Sequence, residues 1–137
     1  MIVVDTGPLV ALFDPADGDH KRCAQILGDI DEMLCTTVPV MTEAFHLLGP
    51  GSIASQRLMD FVVGQGLNVW FMDHRALRRA FELMVQYADQ PMDLADASLV
   101  VLAETLKLHK IFTIDRDDFS IYRIQRGHQH LTFEMLS

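Results

Sequence analysis

The feature that most constrains this chain is a set of short, unbroken apolar runs that each stop abruptly at a polar or turn-forming residue. Met1-Ile2-Val3-Val4 stops at Asp5-Thr6-Gly7-Pro8, and Ile111-Phe112-Thr113-Ile114 stops at Asp115. Runs that do not alternate with polar residues suit strands buried on both faces, as in parallel sheets covered by helices. Residues 33–37 and 67–72 are further candidates, and Leu131 to Phe133 is a weaker fifth.

The segments between these runs have helical spacing. Pro8 falls in the first turn of a helix after the first run. Asp19 to Leu27 is amphipathic, with Cys23, Ile26 and Leu27 inward, and ends near Gly28. Val38-Pro39 breaks the second strand, and Val40 to Leu48 reads as a helix closed by Gly49-Pro50-Gly51. Ser52 and Asp73 are placed to cap the next two helices, the second carrying Leu77, Phe81, Met84 and Val85 at helical spacing. Asp93 to Leu108 is a strongly apolar helix, and Asp115 to Asp118 a turn or short helix. Strands alternating with helices imply an α/β fold: right-handed crossovers and a mainly parallel sheet of four to five strands. With 137 residues, the whole chain is expected to be one domain.

Composition excludes several classes. Half of the residues are hydrophobic and 22% are charged, which argues against disorder. No window approaches the roughly 18 apolar residues of a membrane span. With the first strand at the start and no basic leader segment, the expectation is a cytoplasmic protein. Cys23 and Cys35 are then reduced, partly buried thiols outside any zinc-binding spacing. The net charge of -8 opposes non-specific nucleic-acid binding. Two local features answer it: carboxylates bound to a cation lose their full charge, and arginines cluster at Arg75, Arg78, Arg79 and at Arg116, Arg123, Arg126.

The acids carry the chemical signal. In open α/β sheets the functional crevice lies beyond the carboxyl ends of the strands, where strand order reverses. Asp5 and Asp115 end the first and fourth apolar runs. Asp96 lies in the first turn of the helix leading into the fourth, and Glu43 near the start of the helix after the second. Four acids from distant segments therefore fall on one rim. Singly, each also fits a bland role: a helix cap for Asp5, a macrodipole partner for Asp96, a solvated turn for Asp115, a surface residue for Glu43. Clustered carboxylates repel, and hard divalent ions with oxygen preference relieve that repulsion.

These pieces resemble the PIN-domain ribonucleases, and more narrowly the VapC-like toxins of type II toxin–antitoxin pairs. The matching residues are Ile2-Val3-Val4-Asp5-Thr6-Gly7, Thr42-Glu43-Ala44, Met92-Asp93-Leu94-Ala95-Asp96-Ala97, and Thr113-Ile114-Asp115 followed by Phe119. The resemblance implies a three-layer α/β/α domain, dependence on Mg²⁺ or Mn²⁺ (one or two ions), and hydrolysis of RNA. It implies Asp5, Glu43, Asp96 and Asp115 as metal-binding and catalytic acids, supported by Thr6 and Thr113. Asp117 or Asp118 matches an additional outer acid, and Asp93, one helical turn before Asp96, shares its face or caps the helix. An antitoxin protein and a homodimer are the implied partners.

Other features have plainer readings. The six histidines are solvated or hydrogen-bonded, although His46 lies one turn from Glu43 and His128-Gln129-His130 has a metal-binding look. Trp70 and Phe71 read as core, with base stacking on Trp70 as the alternative. Leu9, Leu12 and Phe13 read as core, with a partner groove as the alternative. Two rival functions share this pattern. A receiver-like phosphoacceptor domain also uses an acidic pocket, but needs a lysine ending a later strand, and none is placed there. A catalytically silent interaction module is the other.

Overall fold

A computed structural model describes residues 1–137. Strands β1 (Ile2–Val4), β2 (Leu34–Thr37), β3 (Leu67–Trp70), β4 (Lys110–Phe112) and β7 (Glu134–Leu136) form one parallel sheet in the order β3-β2-β1-β4-β7. Strands β5 (Arg123–Arg126) and β6 (Gln129–Thr132) form a separate antiparallel hairpin. The helices are α1 (Thr6–Phe13), α2 (His20–Asp29), α3 (Val38–Leu48), α4 (Ile53–Val63), α5 (His74–Gln86), α6 (Leu94–Leu106) and α7 (Arg116–Ile121). They cover both faces, giving the expected α/β/α sandwich. Because β1 pairs with both β2 and β4, strand order reverses between β1 and β4, which opens the crevice there.

Helix α6 is the organising element. Ala95 and every residue from Ala97 to Ala103 are buried, so it is enclosed on nearly all sides. It packs on α5, α3 and the central strands. Asp93 caps it, its carboxylate accepting the Asp96 amide at 2.8 Å. Ser52 and Asp73 cap α4 and α5 in the same way, accepting from Ser55 and Ala76. Leu9 is fully buried, Leu12 and Phe13 pack against the core, and both cysteines are free and buried.

The structure corrects several local expectations. Leu131 does not join the main sheet: it pairs with Ile124 in the hairpin, and the fifth strand is the later β7, aligned on β4. Val38-Pro39 ends β2 as expected, but α3 begins two residues before Val40, at Val38, with Pro39 in its first turn, where a missing amide hydrogen is harmless. Helix α2 ends at Asp29, beside the expected stop near Gly28. The buried face of α5 is Ala76, Ala80 and Leu83, leaving Phe81 and Val85 in solvent. The small alanines let α5 approach α6 closely. Phe71 is not core: it lies beyond the end of β3 and is 72% exposed.

Candidate active site

Asp5 follows β1 and sits at the N-cap position of α1, yet its side chain does not cap that helix. The capping reading of Asp5 therefore fails. Its carboxylate is buried and accepts the Thr113 hydroxyl at 2.9 Å, and Thr113 Oγ1 in turn accepts the Asp115 amide at 2.9 Å. This relay ties the ends of β1 and β4 together across the switch point. Burial is the main influence on Asp5, raising its pKa to about 6 against the Thr6 amide and Thr113 hydroxyl, with Asp115 and Glu43 adding repulsion.

Asp96 lies one turn into α6. Its Oδ2 accepts the hydroxyl of Tyr122 at 3.0 Å. Burial first, then the charges of Asp93 and Asp5, raise its pKa to about 7, while the Tyr122 hydrogen bond opposes them. Tyr122 is itself enclosed, edge-on to both Tyr87 and Phe119, and beside Asp96 its phenol is pushed above its ordinary range.

Asp5, Glu43, Asp96 and Asp115 line one cavity of about 380 Å³, together with Thr6, Asp93 and Asp17. Gly7 is also on the lining, where a Cβ would stand 2.5 Å from Cγ1 of Ile114, so glycine lets α1 lie against the Ile114 side chain as it stands. Asp117 and Asp118 are not on the lining. Asp118 stands just behind it: its amide donates to Asp115 Oδ1 at 3.3 Å, and its charge contributes to raising Asp96. Burial and the neighbouring Asp115, Asp117 and Asp93 raise Asp118 as well. Asp117 is exposed, its carbonyl accepting the Ser120 hydroxyl. Asp93 both caps α6 and lines the cavity, so its two readings are compatible. His46 shares an adjoining groove with Glu43, whereas His128 and His130 are exposed on the hairpin.

Tyr122 and Asp17 are the cavity-associated residues that the sequence reading missed. Asp17 was visible only as part of a turn, and nothing local to Tyr122 points back to α6. Behind the site, Thr37 and Ser98 hydroxyls meet at 2.6 Å, and Thr36 donates to the Val4 carbonyl at 2.8 Å. These buried bonds fix β2 and α6 against β1.

Residues 2–125 match the family model of the PIN domain. The chain belongs to the PIN domain family. A relative in this family, Ribonuclease VapC26 of Mycobacterium tuberculosis, is 27% identical over 124 residues, covering 89% of this chain and 92% of the relative. Among solved structures, the PIN fold here is similar to that of Mycobacterium tuberculosis VapC20, described as a sarcin-ricin loop cleaving toxin. The TM-score is 0.79 at 19% identity, over 86% of this chain and 92% of that one. A toxin–antitoxin complex from Klebsiella pneumoniae gives a TM-score of 0.68 at 18% identity, over 88% and 92% of the two chains. Rickettsia felis VapBC2 bound to a promoter DNA fragment gives 0.68 at 13% identity over the full length of both.

Proposed function

We propose that this PIN-domain chain is a divalent-metal-dependent endoribonuclease, the toxin of a toxin–antitoxin pair. The observation that carries the reading is the meeting of Asp5, Glu43, Asp96 and Asp115 in one cavity, with Asp5 and Asp96 raised to about 6 and 7. Carboxylates held in that state gain from a cation, which favours their ionised form. The relationship to a ribonuclease at 27% identity supports the same activity.

The residues fit Mg²⁺ or Mn²⁺. The donors are hard oxygens, and Thr6 Oγ1 is buried beside Asp5 with no hydrogen-bond partner. No three acidic, histidine or cysteine side chains already converge on a single point. Asp5, Glu43, Asp96 and Asp115 would hold the ion or ions, and when bound these supply Lewis acidity toward phosphate and water. The Thr113 hydroxyl orients Asp5, and the Tyr122 hydroxyl orients Asp96.

The partners follow from the same reading. RNA is the substrate, an antitoxin protein is the inhibitor, and insertion of an arginine into the acid cavity is the simplest means of inhibition. Self-association to a homodimer and a cytoplasmic location belong to this proposal too; no helix is long and apolar enough to cross a membrane. No lysine lines the cavity, which disfavours a receiver-like phosphoacceptor. The test is cleavage of RNA with Mn²⁺ by the purified chain and by Asp96→Asn. Loss of cleavage and of Mn²⁺ binding in a folded variant is expected; cleavage at the parent rate by Asp96→Asn would sink the assignment. Absence of any Mn²⁺ binding by the parent would instead favour a silent interaction module.

A further inference from the structure

The chain carries a net charge of -8, yet a nuclease must hold a polyanion. The question is where its free cations stand. Arg79 is bound to Glu104, Arg22 to Asp19 and Lys110 to Glu32. Arg123 and Arg126 donate to backbone carbonyls, and Arg116 to Ser137. Arg75 and Arg78, like Lys21, Arg57 and Lys107, are exposed and engaged by no carboxylate or carbonyl, and these two are neighbours one turn apart at the start of α5, beside His74.

Strand register places this cluster relative to the acids. Val3 is level with Cys35, and Cys35 with Asn68, so Asp5, Thr37 and Trp70 fall in one row at the carboxyl edge of the sheet. Two inter-strand spacings put Trp70 about 10 Å from Asp5. The exposed ring of Phe71 is the next residue out, and Arg75 shares a hollow with it. A groove that contains Glu43 and Asp93 from the acid cavity leads away from it past Thr42 to Val38. Val38 follows Thr37 as Phe71 follows Trp70, so both leave the sheet at the same carboxyl edge, on neighbouring strands.

We propose that single-stranded RNA leaves the acid cavity along this rim, with a base stacked on Phe71 and phosphates held by Arg75 and Arg78. The inference rests on the ribonuclease reading and adds the surface that positions the substrate. An exposed aromatic beside free guanidiniums is the combination single strands require, since stacking tolerates any base and the cations follow the backbone. The carboxylates of the cavity repel an RNA backbone until a cation neutralises them, and Arg75 and Arg78 offer a pair of free guanidiniums beside the exposed aromatic to hold it.

The experiment uses the full chain and a labelled, mixed-sequence single-stranded RNA. Cleavage with Mn²⁺ is resolved into kcat and KM, binding is followed by anisotropy in chelator at several salt concentrations, and light scattering gives the oligomeric state. The Arg75→Ala/Arg78→Ala variant should raise KM about tenfold at unchanged kcat and reduce the salt slope by about 1.4, at about 0.7 per phosphate contact. Phe71→Ala should weaken binding about tenfold with the salt slope unchanged, and Phe71→Trp should restore it. Parent-like KM, affinity and salt slope in these variants overturn the track while leaving the nuclease reading intact. A parent that binds RNA through these residues but cuts none keeps the track and overturns the nuclease. A parent that neither binds nor cuts RNA overturns both. A change of oligomeric state with unaltered RNA affinity assigns the face to a protein contact and overturns the proposal.

Discussion

The Tyr122 hydroxyl donates to Asp96 Oδ2 at 3.0 Å, joining the end of α7 to the first turn of α6. The bond stabilises the ionised carboxylate and fixes its direction toward the cavity. Removing it in Tyr122→Phe should raise the Asp96 pKa further above about 7 and weaken Mn²⁺ binding about tenfold at neutral pH. Calorimetric titration checks this, and the deficit should shrink as pH is raised and Asp96 ionises. Wild-type affinity at pH 7 would show that the phenol has only a packing role.

Asp5→Asn isolates charge from shape. In chelator at pH 8 the parent must keep a buried carboxylate ionised, whereas the variant does not, so the variant should melt at a higher temperature. With Mn²⁺ the order should reverse, because only the parent gains from the ion. Cleavage should be lost. Thermal melts with and without Mn²⁺ provide the check, and a variant still stabilised by Mn²⁺ as strongly as the parent would remove Asp5 from the ligand set.

The pH dependence follows from the same two acids. Asp5 and Asp96 have native pKa values of about 6 and about 7 against 3.8 when unperturbed, so the native state binds more protons than the unfolded state between those limits. The contribution these acids make to stability is therefore complete below about pH 3.8 and is lost as pH rises through 6 and 7. For Asp5 the loss is on the order of 3 kcal/mol. Urea unfolding in chelator at pH 5 and pH 8 should show this fall, and saturating Mn²⁺ should abolish it. A rise in stability over that range, carried by these two residues, would contradict the burial described here.

Arg79 and Glu104 hold the α5 layer to the rest of the molecule. Two bonds of 2.9 and 3.0 Å join them, and Glu104 Oε2 also accepts the Gln125 amide at 2.8 Å. Arg79→Ala should cost about 1–3 kcal/mol, because it leaves a mostly buried carboxylate short of its cation. The kcat for RNA should remain near the parent value, since the pair lies outside the acid cavity. Denaturant titration beside a kinetic assay separates the two effects.

Gly7→Ala tests the lining of the cavity. The added methyl would stand 2.5 Å from Ile114 Cγ1, so the Ile114 side chain, beside Asp115 on the cavity lining, has to shift. Loss of about 1–3 kcal/mol and a drop in Mn²⁺ affinity are expected. Ile114→Ala in the same chain should recover much of both, as measured by melting and calorimetry.

Asp5 and Asp115 were legible because each lies where an apolar run ends, Asp96 and Glu43 because each lies in a helix that starts at the same edge, and the parallel-sheet rule puts those positions together. Register did the rest: β1 lies between β2 and β4, so Asp5 and Asp115 had to meet. What escaped was set by size or by distant contacts. Residue hydrophobicity pointed to Phe81 and Val85 as the inner face of α5, but close packing on α6 favours the small Ala76 and Ala80. Glu134-Met135-Leu136 has too few apolar residues to announce an edge strand, which needs a buried face only where it meets its neighbours. Tyr122 bears on Asp96 through a contact spanning 26 positions, which no local pattern encodes.

The hydroxyl of Thr113 reaches a carboxylate 108 positions earlier in the chain. Closing so long a loop costs chain entropy that only the docking of the intervening elements recovers. The acids of β1 and β4 are therefore near one another only in the assembled sheet. Any opening between its first and fourth strands parts them again.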